Sequence, residues 1–134
     1  MKINYDEVVF RDSNSASIGA VIRDSEGGVL ASLAEKIPLP QTVADVEAIA
    51  ARRAIMLARD LNLSLIILEG DSEIITRVVQ AEEQSLAAYG YLIEEIRLRV
   101  DSFLGFRISH VKRKENSIAH RLARHVSGLV VFPI

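Results

Sequence analysis

Cysteine and tryptophan are both absent from this chain of 134 residues. Without cysteine the chain has no disulfide framework, no thiolate metal site and no cysteine nucleophile. Aromatic residues make up only 5% of the chain, so the core must consist mainly of Ile, Leu, Val and Ala. Every apolar run is shorter than the roughly 18–20 residues of a bilayer-spanning helix, and the N-terminal segment carries acidic residues too early for a secretory signal. We therefore expect an intracellular protein that forms one domain over residues 1–134.

The net charge of −2 is distributed unevenly along the chain. Residues 1–109 hold 11 Lys/Arg and 17 Asp/Glu, whereas residues 110–134 hold five Lys/Arg and one Glu. A basic C-terminal segment on an acidic body is compatible with contacts to phosphate groups. The same pattern is typical of a solvated helix face, and charge alone does not distinguish the two interpretations.

Hydrophobic periodicity predicts nine elements in the order βββαβααβα. The first three are strands in antiparallel order, with Gly27 and Gly28 providing the positive φ angles of a tight turn between the second and third. A long helix is predicted from Val43 to Asp60, and the apolar run LSLIILEG predicts a strand buried on both faces and parallel to the first. A last helix is predicted from Ser117 to His125. This order predicts an α/β fold, in which a five-stranded mixed sheet is flanked by helices.

Two acidic residues occupy positions that favour a site over a surface role. Asp6 lies inside the first strand, where Asp is disfavoured and a charge requires a partner or an ion; the alternative is a strand end that faces water. Glu47 lies on the long helix and has no basic residue three or four positions away. The alternative for Glu47 is a capping-box glutamate near the helix start.

A third acidic residue, Asp71, directly follows the buried run LIILEG. Ligand sites of α/β sheets lie at the carboxyl ends of strands, although an Asp that begins a helix is also a preferred N-cap. Asp6, Glu47 and Asp71 can converge on one side of the predicted sheet, where they would repel one another unless a cation held them. Hard oxygen ligands suit Mg²⁺ or Mn²⁺, so the residues themselves point to a divalent-metal phosphodiesterase.

Four segments in this order resemble the ribonuclease H family. They are the first strand with Asp6, VEAIAARRAI with Glu47, LEGDSE with Asp71, and SHVKRKENSIAHRLAR near the C-terminus. The chain is most similar to the ribonuclease H-like domains of plant non-LTR retroelement reverse transcriptases, of which GAVIRDSEGGVLAS is also typical. The resemblance covers nearly the whole chain and implies the ribonuclease H-like fold.

The resemblance also implies an activity, which is cleavage of the RNA strand of RNA–DNA hybrids with two Mg²⁺ or Mn²⁺ ions. It assigns metal binding to Asp6, Glu47, Asp71 and His120, and a further catalytic role to His110, the histidine before the last helix. We further expect a monomer, with no membrane partner, that can form part of a longer reverse-transcriptase polyprotein. Nucleic-acid contacts are expected from Ser13, Asn14, Ser72, Lys112, Arg113, Lys114 and Asn116.

Two positions depart from the family pattern. His120 falls where the family has a fourth carboxylate, ten residues after His110. Imidazole can bind Mn²⁺ but Mg²⁺ prefers oxygen, so we expect weaker support for the second ion. Glu7 and Val8 stand where the family has Gly-Ala, and we expect the bulk and charge of Glu7 to weaken hybrid binding.

Other functions are compatible with the same sequence. One is a catalytically weak or inactive ribonuclease H-fold module that binds nucleic acid or a protein partner through its basic residues. A Ser–His hydrolase lacks its G-x-S-x-G elbow. A zinc site built from His110, His120 and His125 lacks a supporting cysteine or H-E-x-x-H pattern.

Overall fold

The computed structural model describes residues 1–80 and 90–124, apart from the side chains of Leu122 and Arg124. The predicted order of the elements is confirmed, and α1 has the predicted bounds. His125, the predicted end of the last helix, lies outside the described residues. The elements are β1 (Lys2–Phe10), β2 (Ser15–Arg23), β3 (Val29–Pro38), α1 (Val43–Asp60), β4 (Leu65–Gly70), α2 (Glu73–Gln80), α3 (Gly90–Val100), β5 (Gly105–His110) and α4 (Ser117–Arg124), with short 3₁₀ turns at Arg11–Ser13 and Arg113–Asn116.

The five strands form one mixed sheet in the order β3-β2-β1-β4-β5. β1 pairs with β2, and β2 with β3, in antiparallel ladders. β4 is parallel to β1 on one side and to β5 on the other. The predicted α/β fold, with antiparallel strands 1–3 followed by βα alternation, is therefore confirmed. Since β1, β4 and β5 run in the same direction, their carboxyl ends lie at one edge of the sheet, where ligand sites form.

The two turns of the antiparallel part differ from the sequence prediction in detail. β2 begins at Ser15, three residues earlier than its apolar run suggests, because a 3₁₀ turn and the left-handed Asn14 (φ 51°) reverse the chain directly after Phe10. Between β2 and β3 only Gly27 has a positive φ, of 87°. The expectation of a positive φ at Gly28 was wrong, because the carboxylate of Asp24 accepts the backbone N–H of Gly28 at 2.8 Å and sets that turn.

The faces of β1 are covered by different helices. Ile3 and Tyr5 are buried in the main core together with residues of α1. Asn4 and Asp6 alternate with them and therefore point to the other face, against which α4 packs. Ala119 and Ala123 of α4 are fully buried and small, so the helix approaches the sheet closely. Asp6 thus lies between the sheet and α4.

β4 is covered less completely than its apolar run predicts. Ile66 and Leu68 are buried, but Ile67 between them is only half-buried. The physical reason is that α4 packs over β1, β2 and β3, toward the opposite side of the sheet from β5. Within the described ranges, the structure has no helix that is both long and apolar enough to cross a membrane.

Candidate active site

The site begins where β1 and β4 run side by side. Asn4 lies opposite Glu69 in the parallel ladder, so the next residues of β1 lie beside Gly70 and Asp71. The Tyr5 ring packs directly on Gly70, where an added Cβ would be only 2.4 Å from ring carbons Cε1 and Cζ. Only glycine allows this approach, which brings Asp6 and Asp71 together.

Three carboxylates converge at this place. Oxygen atoms of Asp6, Glu7 and Asp71 all lie within 4.8 Å of one another. Asp6 is fully buried, and its Oδ1 accepts the backbone N–H of Glu7 at 2.8 Å. Asp6 and Asp71 were predicted as site residues, but Glu7 was predicted only to obstruct the substrate. The sequence signal that could have identified Glu7 is its position next to Asp6, directly before the apolar Val8, Val9 and Phe10.

Glu47 lies beside this cluster but outside the group of three. Its carboxylate accepts a hydrogen bond from the hydroxyl of Ser72. The alternative role of Glu47 as a capping-box residue was wrong, because Thr42 and Asp45 form the capping box of α1. The N–H of Asp45 donates to Thr42 Oγ1 at 3.1 Å, and the N–H of Thr42 donates to Asp45 Oδ2 at 3.3 Å. Glu47 is therefore not required for the helix start.

Asp71 is likewise free of a capping role. Ser72 Oγ accepts the N–H of Ile75 at 3.2 Å, so Ser72 caps α2, which begins at Glu73. The alternative of Asp71 as N-cap was therefore wrong. Asp71 Oδ2 lies 3.6 Å from Nε of the exposed Arg113, a loose ion pair at the surface.

His120 and Asn116 connect α4 and the turn before it to β1. His120 Nδ1 lies 2.8 Å from Asp6 Oδ2, and the His120 side chain is partly exposed. The amide Nδ2 of Asn116, which is only 1% exposed, donates to the carbonyl of Tyr5 at 2.6 Å. These contacts place His120 at Asp6 itself, the first predicted metal ligand.

The carboxylates raise one another's pKa. Burial raises the pKa of Glu7 to about 9, and the charges of Asp6, Glu47 and Asp71 add to the effect. Burial also raises the pKa of Asp6, with Asp71 adding to the shift and the N–H of Glu7 and His120 opposing it. The pKa of Glu47 is raised by burial, against the hydrogen bond from Ser72. The cluster therefore resists full ionisation unless a cation compensates the charge.

The donor set at the site suits a divalent cation. In the described part of the chain, Glu7 Oε2 and the Tyr5 hydroxyl are buried atoms without a hydrogen-bond partner. Buried polar atoms of this kind require an explanation such as an ion or an ordered water. The donors are all carboxylate oxygens, the ligands that Mg²⁺ and Mn²⁺ prefer. The residues present thus fit the metal that the sequence predicts.

The other predicted residues lie around the cluster rather than in it. His110 is exposed at the end of β5, opposite Gly70 in the ladder. Among the residues that the structure describes, the one group of three or more potential ligands is Asp6, Glu7 and Asp71. Neither His110 nor His120 belongs to it, and His125 lies outside the described ranges, so nothing here supports the zinc alternative. Ser13, Asn14, Lys112, Arg113 and Lys114 are exposed, whereas Ser72 and Asn116 are buried.

Comparison with known proteins gives one family and a set of similar structures. A family model described as reverse transcriptase-like matches residues 4–126. RNase H1 from the halophilic archaeon Halobacterium salinarum is 24% identical over 92% of this chain and 93% of that one, with a TM-score of 0.83. LC11-RNase H1, isolated from compost and crystallised with an RNA/DNA hybrid, is 22% identical over 93% of this chain and 94% of that one, with a TM-score of 0.82.

A viral protease-reverse transcriptase contains the same fold as one part of a longer chain. The foamy viral protease-reverse transcriptase in complex with RNA/DNA hybrid is 17% identical over 92% of this chain, but over only 19% of its own length, with a TM-score of 0.73. At these identities the structures establish the fold. No curated protein matched the sequence.

Proposed function

The chain belongs to the reverse transcriptase-like family and is a ribonuclease H-like domain of the retroelement type, and from this we propose that it is a divalent-metal-dependent endonuclease that cleaves the RNA strand of RNA–DNA hybrids. We also propose that the domain acts as a monomer and can be one part of a longer reverse-transcriptase polyprotein. The viral reverse transcriptase, in which a similar fold occupies 19% of the chain, supports the second point.

The observation that carries the proposal is the convergence of the acids at the sheet edge. Asp6, Glu7 and Asp71 have oxygens within 4.8 Å of one another, and Glu47 lies near enough for Asp71 and Asp6 to raise its pKa. Clustered and partly buried carboxylates are unfavourable for stability, so their retention at one place favours a role in binding a cation.

Three of the four predicted metal ligands, Asp6, Glu47 and Asp71, would hold the metal, and we propose two ions. The fourth, His120, we assign to positioning instead. When bound, the two ions would supply a nucleophile from water and stabilise the charge on the leaving oxygen in phosphodiester hydrolysis. His120 would orient Asp6 through the contact of 2.8 Å between its Nδ1 and Asp6 Oδ2. His110, exposed beside Gly70 at the same sheet edge, would exchange protons with solvent near the site.

The hybrid would cross the surface next to this edge. Lys112, Arg113 and Lys114 are exposed directly after β5 and would contact phosphates. Recognition of RNA requires contacts to 2′-hydroxyl groups, for which the exposed Ser13 and Asn14 are candidates. The other two predicted contact residues are nearly fully buried, and we assign them to positioning: Ser72 holds Glu47, and Asn116 holds β1.

A hybrid-cleavage assay tests the proposal. The parent protein is incubated with a labelled RNA–DNA hybrid in Mg²⁺ and in Mn²⁺, next to Asp71→Asn and to Glu26→Gln, which removes an exposed carboxylate in the β2–β3 turn. We expect the parent and Glu26→Gln to cut the RNA strand and Asp71→Asn to lose the activity. If the parent protein has a folded circular-dichroism spectrum but cleaves the hybrid in neither metal, the proposal is refuted.

A second candidate function is a ribonuclease H-fold module that binds nucleic acid or a protein without catalysis. The observation that favours it is His120, which stands at the position of the family's fourth carboxylate and contacts Asp6. Under this hypothesis the hybrid binds to the parent and to Asp71→Asn with the same affinity, and neither cleaves it. Weak binding that does not respond to salt would contradict it, because phosphate contacts make affinity fall steeply as salt rises.

A further inference from the structure

Glu7 is the carboxylate that this site gains relative to the family pattern, and position 120 is where it lacks one. We propose that Glu7 supplies the fourth carboxylate ligand of the divalent-metal site. It would take the place of the acid that the family has at the position of His120. The proposal rests on the proposed function, because it concerns the same metal site. With Asp6, Glu47 and Asp71, the chain then retains four carboxylates at the site.

The position of the Glu7 carboxylate supports this assignment. It lies with the oxygens of Asp6 and Asp71 inside a radius that one cation can bridge, since all three atoms are within 4.8 Å of one another. Glu7 Oε2 is buried and has no hydrogen-bond partner among the described residues. A glutamate that merely occupied space could turn toward solvent, whereas a carboxylate oxygen of Glu7 lies within 4.8 Å of oxygens of two other acids.

The Tyr5 hydroxyl gives an independent indication that something binds here. Tyr5 is 1% exposed, and its hydroxyl has no hydrogen-bond partner in the described ranges. The ring lies against Gly70, the residue before Asp71, so the hydroxyl lies beside the acids. An ion with its bound water would satisfy both the unpaired hydroxyl and the unpaired carboxylate.

His120 cannot replace the missing carboxylate through its nearer nitrogen. Nδ1 faces Asp6 Oδ2 at 2.8 Å and is engaged in that contact. A fourth oxygen ligand would come from another residue, and Glu7 is the remaining acid of the cluster. Since Glu7 follows Asp6 directly in β1, a single strand would contribute two ligands to the site.

Binding of Mn²⁺ to the metal-free protein tests the assignment without any nucleic acid. Free Mn²⁺ is measured by electron paramagnetic resonance for the parent, Glu7→Gly, Glu7→Gly/His120→Asp and the control Glu26→Gln. We expect Glu7→Gly to weaken binding by about tenfold or more, and His120→Asp to recover most of that loss by returning the acid to the family position. Glu26→Gln should bind as the parent does. Glu7→Gln, which keeps the size of the side chain, replaces Glu7→Gly if the glycine variant does not fold.

The outcomes separate this proposal from the proposed function. Unchanged or tighter binding by Glu7→Gly would overturn it, since Glu7 would then only obstruct the site. If His120→Asp does not recover the Mn²⁺ binding that Glu7→Gly loses, Glu7 does not take the place of the acid at position 120, and the proposal is overturned. If the parent binds Mn²⁺ as expected but does not cleave hybrid, the nuclease function fails while the role of Glu7 stands. If the parent binds no Mn²⁺, both fail.

Discussion

Substitution of Glu7 by Gln should make the metal-free protein more stable at neutral and alkaline pH. Burial and the charges of Asp6, Glu47 and Asp71 raise the pKa of Glu7 to about 9, from 4.5 in the unfolded chain. Between these values the folded protein holds a proton that the unfolded chain has released. The stability that this proton provides is therefore present below pH 4.5 and is lost as the pH rises toward 9. Gln carries no charge at any pH and should remove this loss.

The size of the effect follows from linkage. One proton bound only by the folded state lowers the free energy of unfolding by at most ~1.36 kcal/mol per pH unit. Over pH 6–8 this gives an upper limit of about 2.7 kcal/mol, and because Glu7 is only partly buried, solvent screening reduces it to about 1–2 kcal/mol. A smaller slope should persist in Glu7→Gln, because burial raises the pKa of Asp6 and of Glu47 as well.

Urea denaturation at pH 6, 7 and 8 in the presence of a chelator measures the effect. The parent should lose stability along this series, Glu7→Gln should lose clearly less, and the control Glu26→Gln should follow the parent. Saturating Mn²⁺ should stabilise the parent more at pH 8 than at pH 6, because the ion replaces the proton at the cluster. Equal pH slopes for the parent and Glu7→Gln would refute the reasoning, since the Glu7 carboxylate would then be ionised in the folded protein at neutral pH.

Three further changes test the packing and the surface around the site. Gly70→Ala should destabilise the fold by about 1–3 kcal/mol in urea denaturation, because its Cβ would lie 2.4 Å from the Tyr5 ring. This loss of stability should be smaller when Tyr5 is replaced by Leu. An equal loss in both backgrounds would contradict the close approach of Tyr5 to Gly70. Asn116→Ala should cost about 1–2 kcal/mol in the same assay by removing the bond to the Tyr5 carbonyl, and no loss would show that the contact is not formed. Lys112→Gln/Lys114→Gln should reduce the slope of log Kd against log salt for a hybrid by about two, and an unchanged slope would place the phosphates elsewhere.

The fold could be predicted from the sequence because the spacing of its apolar residues clearly distinguishes helices from strands. The bounds of α1 follow from a helical spacing of apolar and small residues, and the parallel position of β4 follows from its apolar run. The capping residues were harder to predict. Glu47 has the residue type of a capping box, but the structure uses Thr42 and Asp45, where a shorter acid fills the same role.

The site could be predicted only in part, because its details depend on contacts between residues distant in the chain. Asp6 and Asp71 were predicted from their strand positions, but the hydrogen bond from Ser72 to Glu47 joins two helices and leaves no signal in either segment. Glu7 was interpreted only as bulk and charge that weaken hybrid binding, because the family has Gly-Ala at positions 7 and 8. Side-chain alternation along a strand also argues against a shared site for Asp6 and Glu7. That rule puts neighbours on opposite faces, whereas Asp6 and Glu7 both contribute oxygens to one group.

The contact between His120 and Asp6 changes the metal preference that the sequence suggests. A histidine at a ligand position favours Mn²⁺ over Mg²⁺, because Mg²⁺ prefers oxygen. Here the Nδ1 atom of His120 is engaged by Asp6, and the atoms that converge are oxygens of Asp6, Glu7 and Asp71. An all-oxygen donor set removes the reason for Mn²⁺ to be preferred. Under this proposal, His120 would act on the metal site indirectly, by fixing the orientation of a carboxylate that burial would otherwise tend to protonate.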